Sequence, residues 1–116
     1  PKLTIYTALD PANENNGCIE IIPRTQHQLL NPQHPSGFLT AAMAQAFDDD
    51  PRRIPLVLAA GEVVLLNPWT VHGSGVNRTN HSRRAFSVCL MDAATMSLRY
   101  KRLASRSIIF GEGAMH

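Results

Sequence analysis

The run Trp69-Thr70-Val71-His72-Gly73-Ser74-Gly75-Val76-Asn77-Arg78 gathers the residues best suited to chemistry. A neutral imidazole is a good ligand for a borderline metal such as Fe(II) or zinc. Gly73 and Gly75 lack side chains, so another group can approach the backbone closely beside His72. If the chain is extended here, His72 and Ser74 point to the same side. A histidine beside a turn also serves as an ordinary hydrogen-bonded structural residue, and the segment alone leaves both readings open.

Arg83 stands eleven residues after His72. Alternation along a strand puts Arg83, Ala85, Ser87, Cys89 and Met91 on one face and Arg84, Phe86, Val88 and Leu90 on the other. Small neighbours leave space before the guanidinium, whose planar fork suits a carboxylate bidentately. An inward Arg83 implies an acidic ligand, because a buried, unpaired charge is costly. The alternative leaves Arg83 and Arg84 flanking a strand start in water. Phe86, Val88 and Leu90 need cover from another layer in either case. Asp48-Asp49-Asp50 reads as a solvated acidic run, since neighbours on a loop point in different directions.

The chain that must position these groups has 116 residues, 44% hydrophobic and 17% charged, which is a globular composition. A domain of this size buries roughly two-thirds of its unfolded surface, so neither disulfides nor a structural metal are needed. Eleven Lys and Arg against nine Asp and Glu leave a net charge of +2, too little for a nucleic-acid footprint. No apolar run approaches the roughly 18–20 residues that span a bilayer, and no signal peptide is read at the start. Neither nucleic acid nor membrane is therefore an expected partner. Cys18 and Cys89 form no CxxC pair and read as free thiols in a reducing compartment, with cytoplasm as the default. The first residue is Pro1 rather than Met, which fits processing or a piece of a longer chain.

Five strands are predicted, over 3–9, 18–22, 54–59, 62–67 and 83–91, from β-branched, aromatic and alternating residues between turn signals. The turn-rich stretch 10–17 between the first two suggests a hairpin. One helix is predicted from an N-cap at Ser36 through Phe47, with Phe38, Leu39, Ala42, Met43, Ala46 and Phe47 on an apolar face that packs on the core or forms a lid. Met96 to Phe110, with Arg99, Lys101, Arg102 and Arg106, reads as a basic tail or weak helix. The fold is mainly β, although a closed jelly roll requires about eight strands.

The run from Ala60 through Thr79, followed by Arg83-Arg84-Ala85-Phe86-Ser87, resembles the C-terminal signature of the phytanoyl-CoA dioxygenase family. Its members are Fe(II)- and 2-oxoglutarate-dependent oxygenases on a double-stranded β-helix. Ala8-Leu9-Asp10 and Glu14-Asn15-Asn16-Gly17 to Pro23 resemble the family's "acidic-Asn-Gly, strand, Pro" pattern. Where the family continues with Gly-Ser-His, this sequence has Arg24-Thr25-Gln26-His27. The likeness spans residues 3 to about 92. It implies that His72 is the second histidine of the facial triad, that Arg83 pairs with the far carboxylate of 2-oxoglutarate, and that Ser74 shares that carboxylate. Tyr6 falls at the position of a pocket-lining aromatic. Fe(II) as cofactor, 2-oxoglutarate and O₂ as cosubstrates and a small-molecule substrate follow from the resemblance, with hydroxylation of a C–H bond as the reaction.

The family's His-x-Asp iron ligands have no counterpart after His27, His34, His72, His81 or His116. A facial triad needs two histidines and a carboxylate. Residues 1–116 therefore read as the C-terminal part of one jelly-roll domain, truncated at the N-terminus and inactive alone. Two alternatives stand beside this: a non-catalytic β-barrel module that holds an acidic ligand, and an iron/2-oxoglutarate halogenase. The oligomeric state is not set by the sequence.

Overall fold

The β-branched run Leu3-Thr4-Ile5-Tyr6-Thr7-Ala8 forms strand β1 (Leu3–Ala8), the centre of a three-stranded antiparallel sheet. The structure is a computed structural model that describes residues 2–34, 37–97 and 102–103. β2 (Ile19–Ile22), helix α1 (Ala41–Gln45), β3 (Ile54–Pro55), β4 (Val63–Leu66), β5 (Val71–Ser74) and β6 (Ala85–Leu90) follow in chain order. One sheet has the order β4-β1-β6 and the other β3-β2-β5, while β7 (Met96–Ser97) pairs with β8 (Arg102–Leu103) by itself. The start of the basic C-terminal stretch is therefore extended rather than helical. Arg99, Lys101, Arg106 and Phe110 lie outside the described residues.

Mainly β architecture matches the sequence reading, with corrections: β5, β7 and β8 are strands beyond the five expected. β1 and β2 do not form a hairpin, because β1 is flanked on both sides by β4 and β6. The intervening loop carries the chain from one sheet to the other and satisfies itself: Asn13 Oδ1 accepts the N–H of Asn15 and Asn16 at 3.0 and 3.2 Å. The strand expected over 54–59 shrinks to Ile54–Pro55. Pro55 offers no N–H to a ladder; beyond it Leu56 N–H still donates to Ile19 O at 2.8 Å and Leu58 forms a single bridge to Ala12, without a continuous ladder. The helix begins at Ala41 behind the N-cap Thr40, whose Oγ1 accepts the N–H of Met43 at 3.2 Å. Ser36, the expected cap, lies outside the described residues. None of the helix residues is buried. The chain then tightens into i→i−3 turns, with Ala46 N–H on Met43 O and Phe47 N–H on Ala44 O.

Register sorts the first sheet into two faces. Tyr6 lies opposite Val64 and Ser87, Thr4 opposite Leu66 and Cys89, and Ala8 opposite Ala85. This face holds the buried Tyr6, Ala8 and Leu66. The other carries Ile5, Leu65 and Val88 with Thr7, Val63 and Phe86. Val63, Leu65 and Phe86 are 53%, 64% and 60% exposed, so the apolar face anticipated around Phe86 is uncovered by the described residues. Among those residues β5 pairs only with β2 and β6 only with β1, and the two sheets do not close into a barrel.

Candidate active site

Val71-His72-Gly73-Ser74 is a genuine strand, β5, in antiparallel register with β2. Its start is fixed by Thr25, whose hydroxyl donates to Ile22 O at 2.7 Å and accepts the Val71 N–H at 2.8 Å. His72 lies opposite Ile21 and Ser74 opposite Ile19, so the two side chains share one face, as alternation required. Gly73 lies opposite Glu20 on the other. The His72 Nδ1 lies 2.7 Å from Thr70 O. A carbonyl only accepts, so this contact calls for a proton on Nδ1, and in a neutral ring the lone pair then sits on Nε2. A backbone carbonyl on the far ring nitrogen is how metal-binding imidazoles are commonly oriented.

Arg83 precedes β6 rather than opening it, because neighbouring Arg84 is held elsewhere. The Arg84 backbone N–H and Nε donate to Asp10 Oδ2 at 2.8 and 2.9 Å, and its Nη2 donates to Asp10 Oδ1 at 2.9 Å. Arg84 O in turn accepts the N–H groups of Leu9 and Asp10. These hydrogen bonds, first from the Arg84 side chain and then from its backbone, hold the Asp10 carboxyl at about 2, below its ordinary 3.8. With Arg84 committed to Asp10, Arg83 turns the other way. Its Nε donates to Asn16 O at 3.2 Å and its Nη1 to Tyr6 Oη at 3.3 Å. Tyr6 is 8% exposed and Asn16 5%. Arg83 is half-buried against these partners, whereas Arg84 flanks the strand start largely in water, paired with Asp10.

The structure therefore brings Arg83 to Tyr6, and His72 to the same face of β5 as Ser74. It forms no hydrogen bond between Ser74 and Arg83. The two pairs are linked through the β1–β2 loop. Gly17, at φ 73°, packs its backbone on Gly75, one residue beyond Ser74. A Cβ on Gly17 would overlap Gly75 O and stand 2.8 Å from Gly75 C. Next to it, Arg78 N–H donates to Asn15 O at 3.1 Å. The roles of Asn16 and Asp10 were missed from sequence. The signal available was the Asn-rich composition of the loop, read there only as turn chemistry.

Beside β5 lies a crevice of about 220 Å³, lined among others by Ile22, Val71, His72, Leu39 and Phe47. Leu39 and Phe47, two members of the anticipated helix stripe, thus face the second sheet. Across the crevice Arg53 is ion-paired with Glu20 and donates to Asp48 O. Asp50 is likewise committed, to Arg52, whose side-chain and backbone hydrogen bonds hold its carboxyl at about 2.

Residues 3–85 match the family model for phytanoyl-CoA dioxygenase (PhyH), and the chain belongs to that family. The rat protein "Phytanoyl-CoA dioxygenase, peroxisomal" is 36% identical over 87 residues, covering 71% of this chain and 26% of its own length. The chain thus spans about a quarter of the curated relatives it matches. Among solved structures, the non-heme alpha ketoglutarate dependent carbocyclase SnoK superposes with a TM-score of 0.66 at 25% identity, covering 95% of this chain and 47% of its own. The alpha ketoglutarate dependent epimerase SnoN gives 0.55 at 25% identity, with coverages of 79% and 32%. The fold is that of the jelly-roll 2-oxoglutarate-dependent oxygenases.

Proposed function

We propose that this chain carries the cosubstrate-anchoring part of an Fe(II)- and 2-oxoglutarate-dependent dioxygenase site. In this reading His72 is one iron ligand, Arg83 pairs with the far carboxylate of 2-oxoglutarate, Ser74 shares that carboxylate and Tyr6 lines the pocket. The observation that carries it is the His72 ring held through Nδ1 by Thr70 O, with Nε2 left as a donor atom. Family membership supports it.

The residues do not fit a complete iron centre. No His-x-Asp occurs in the sequence, and among the described residues no three His, Cys, Asp or Glu side chains converge. In this reading the remaining ligands come from another segment of the full protein. What this chain does itself is bind and orient. Arg83 has five N–H donors. Two are occupied by Asn16 and Tyr6, and the rest are available to a carboxylate. The substrate is read as a small molecule and the reaction as C–H hydroxylation with O₂. The rival reading is a metal-free module for an acidic ligand, held by the Arg83 N–H donors that Asn16 and Tyr6 leave unused.

Calorimetry with 2-oxoglutarate, with and without Mn(II), separates the two. A module binds equally in both, whereas an oxygenase part binds weakly until its ligand set is completed. Residues 1–116 with Fe(II) and ascorbate should release no succinate, and robust turnover contradicts the incomplete site. Joined to a segment carrying His-x-Asp, His72→Ala should abolish turnover. Arg83→Ala should raise the 2-oxoglutarate KM about 10- to 100-fold, the value of a charge-assisted pair.

A further inference from the structure

The loop between β1 and β2 is built around Asn16, whose amide is used at both ends. Its Nδ2 donates to Pro11 O at 2.8 Å and its Oδ1 accepts the Asn13 N–H at 2.8 Å. Its own N–H donates to Asn13 Oδ1. With the side chain and N–H consumed inside the loop, the Asn16 carbonyl is directed outward, and Arg83 Nε is what it meets. Two backbone contacts hold the same loop against the β5–β6 connection: Gly17 on Gly75, and Asn15 O on Arg78 N–H.

We propose that Asn16 is a positioning residue for Arg83: its buried side chain shapes the turn that presents the Asn16 carbonyl to Nε. The carbonyl and the Tyr6 hydroxyl together fix the guanidinium plane and leave both Nη2 hydrogens for an anionic ligand. The loop thereby couples the direction of the arginine fork to the end of the strand that carries His72 and Ser74. The value of this device rests on the cosubstrate reading of Arg83, but its geometry does not.

The test is the solvent exchange of arginine Nε–Hε protons by NMR in the ¹⁵N-labelled chain, with Arg83 assigned through Arg83→Lys. Without any diacid, Arg83 Hε should exchange about five- to tenfold more slowly than in the urea-unfolded chain, as one hydrogen bond dictates. Asn16→Ala should return it to the unfolded rate and leave Arg84 Hε, bonded to Asp10, protected. General loosening of the fold would release both. Asn16→Asp keeps the acceptor for Asn13 N–H and loses the donor to Pro11 O. It should give an intermediate rate, and it decides the question in the same way if the alanine variant does not fold. Arg83 Hε at the unfolded rate in the native chain, or unchanged in the Asn16 variants, overturns the proposal. Adding 2-oxoglutarate then tests the other reading separately: a protected Hε with no shift up to millimolar ligand refutes the cosubstrate role and leaves the positioning role intact.

Discussion

Replacing Gly17 by alanine puts the loop geometry at risk in a way that can be calculated against an internal reference. Gly17 and Gly61 both have positive φ, 73° and 89°. An alanine there carries about 1–2 kcal/mol of left-handed strain, offset by roughly 0.4–1 kcal/mol from the reduced freedom of the unfolded chain. A Cβ at Gly61 meets nothing within 4 Å, so Gly61→Ala should cost about 1 kcal/mol or less. A Cβ at Gly17 instead meets backbone, at Gly75 and at 2.9 Å from Val76 C. Backbone cannot rotate aside as a side chain does, and forced overpacking adds about 1–3 kcal/mol. Gly17→Ala should therefore cost about 2–4 kcal/mol. In urea unfolding with a slope of about 1–3 kcal/mol/M, the midpoint should fall by roughly 1 M more than for Gly61→Ala. Equal midpoints for the two variants would refute the packing of this loop on the end of β5.

Arg24 has φ 64°, the left-handed region that favours glycine. Arg24→Gly should relieve strain and stabilise the chain by about 0.5–1 kcal/mol, raising Tm by a few degrees, and a calorimetric scan with a lower Tm contradicts this. Asp10 and Asp50 are both held at about 2 by their arginines against an ordinary 3.8. A depressed carboxyl stabilises the folded state above its unfolded pKa, so this stabilisation should be complete above pH 4 and disappear as pH falls from about 4 to 2. Asp10→Asn with Asp50→Asn should flatten that part of the stability–pH curve, and an unchanged curve locates the acid sensitivity elsewhere.

The strands at 3–8, 19–22, 63–66 and 85–90 were legible because β-branched and aromatic residues run there between clear turn signals. Their partners were not. A one-dimensional pattern shows a turn at 10–17 but not whether β1 has free edges, and both of its edges are filled by strands more than 50 residues away. The alternation that put Arg83 and Ser87 on one face holds, since Ser87 faces Tyr6 in register and Tyr6 bonds Arg83. His72 and Ser74 on one face of β5 were legible for the same reason. Neither the Thr70 carbonyl behind His72 nor the Asn16 carbonyl behind Arg83 was legible. Every residue carries a carbonyl, and only the folded path decides which one meets an imidazole or a guanidinium. The helix was overextended because its apolar spacing continues to Phe47, while three successive acids and Pro51 follow and the last turns tighten.

The proposed function requires Arg83 and His72 to serve one small-diacid site. Titration of 2-oxoglutarate to millimolar concentration, followed by NMR at Arg83 Nε–Hε and His72 Hε1, tests it directly even where affinity is weak. Both signals should move together in the native chain, and the His72 response should vanish in Arg83→Ala. Movement at Arg52 or Arg53 alone, or a His72 response that survives removal of Arg83, would contradict it.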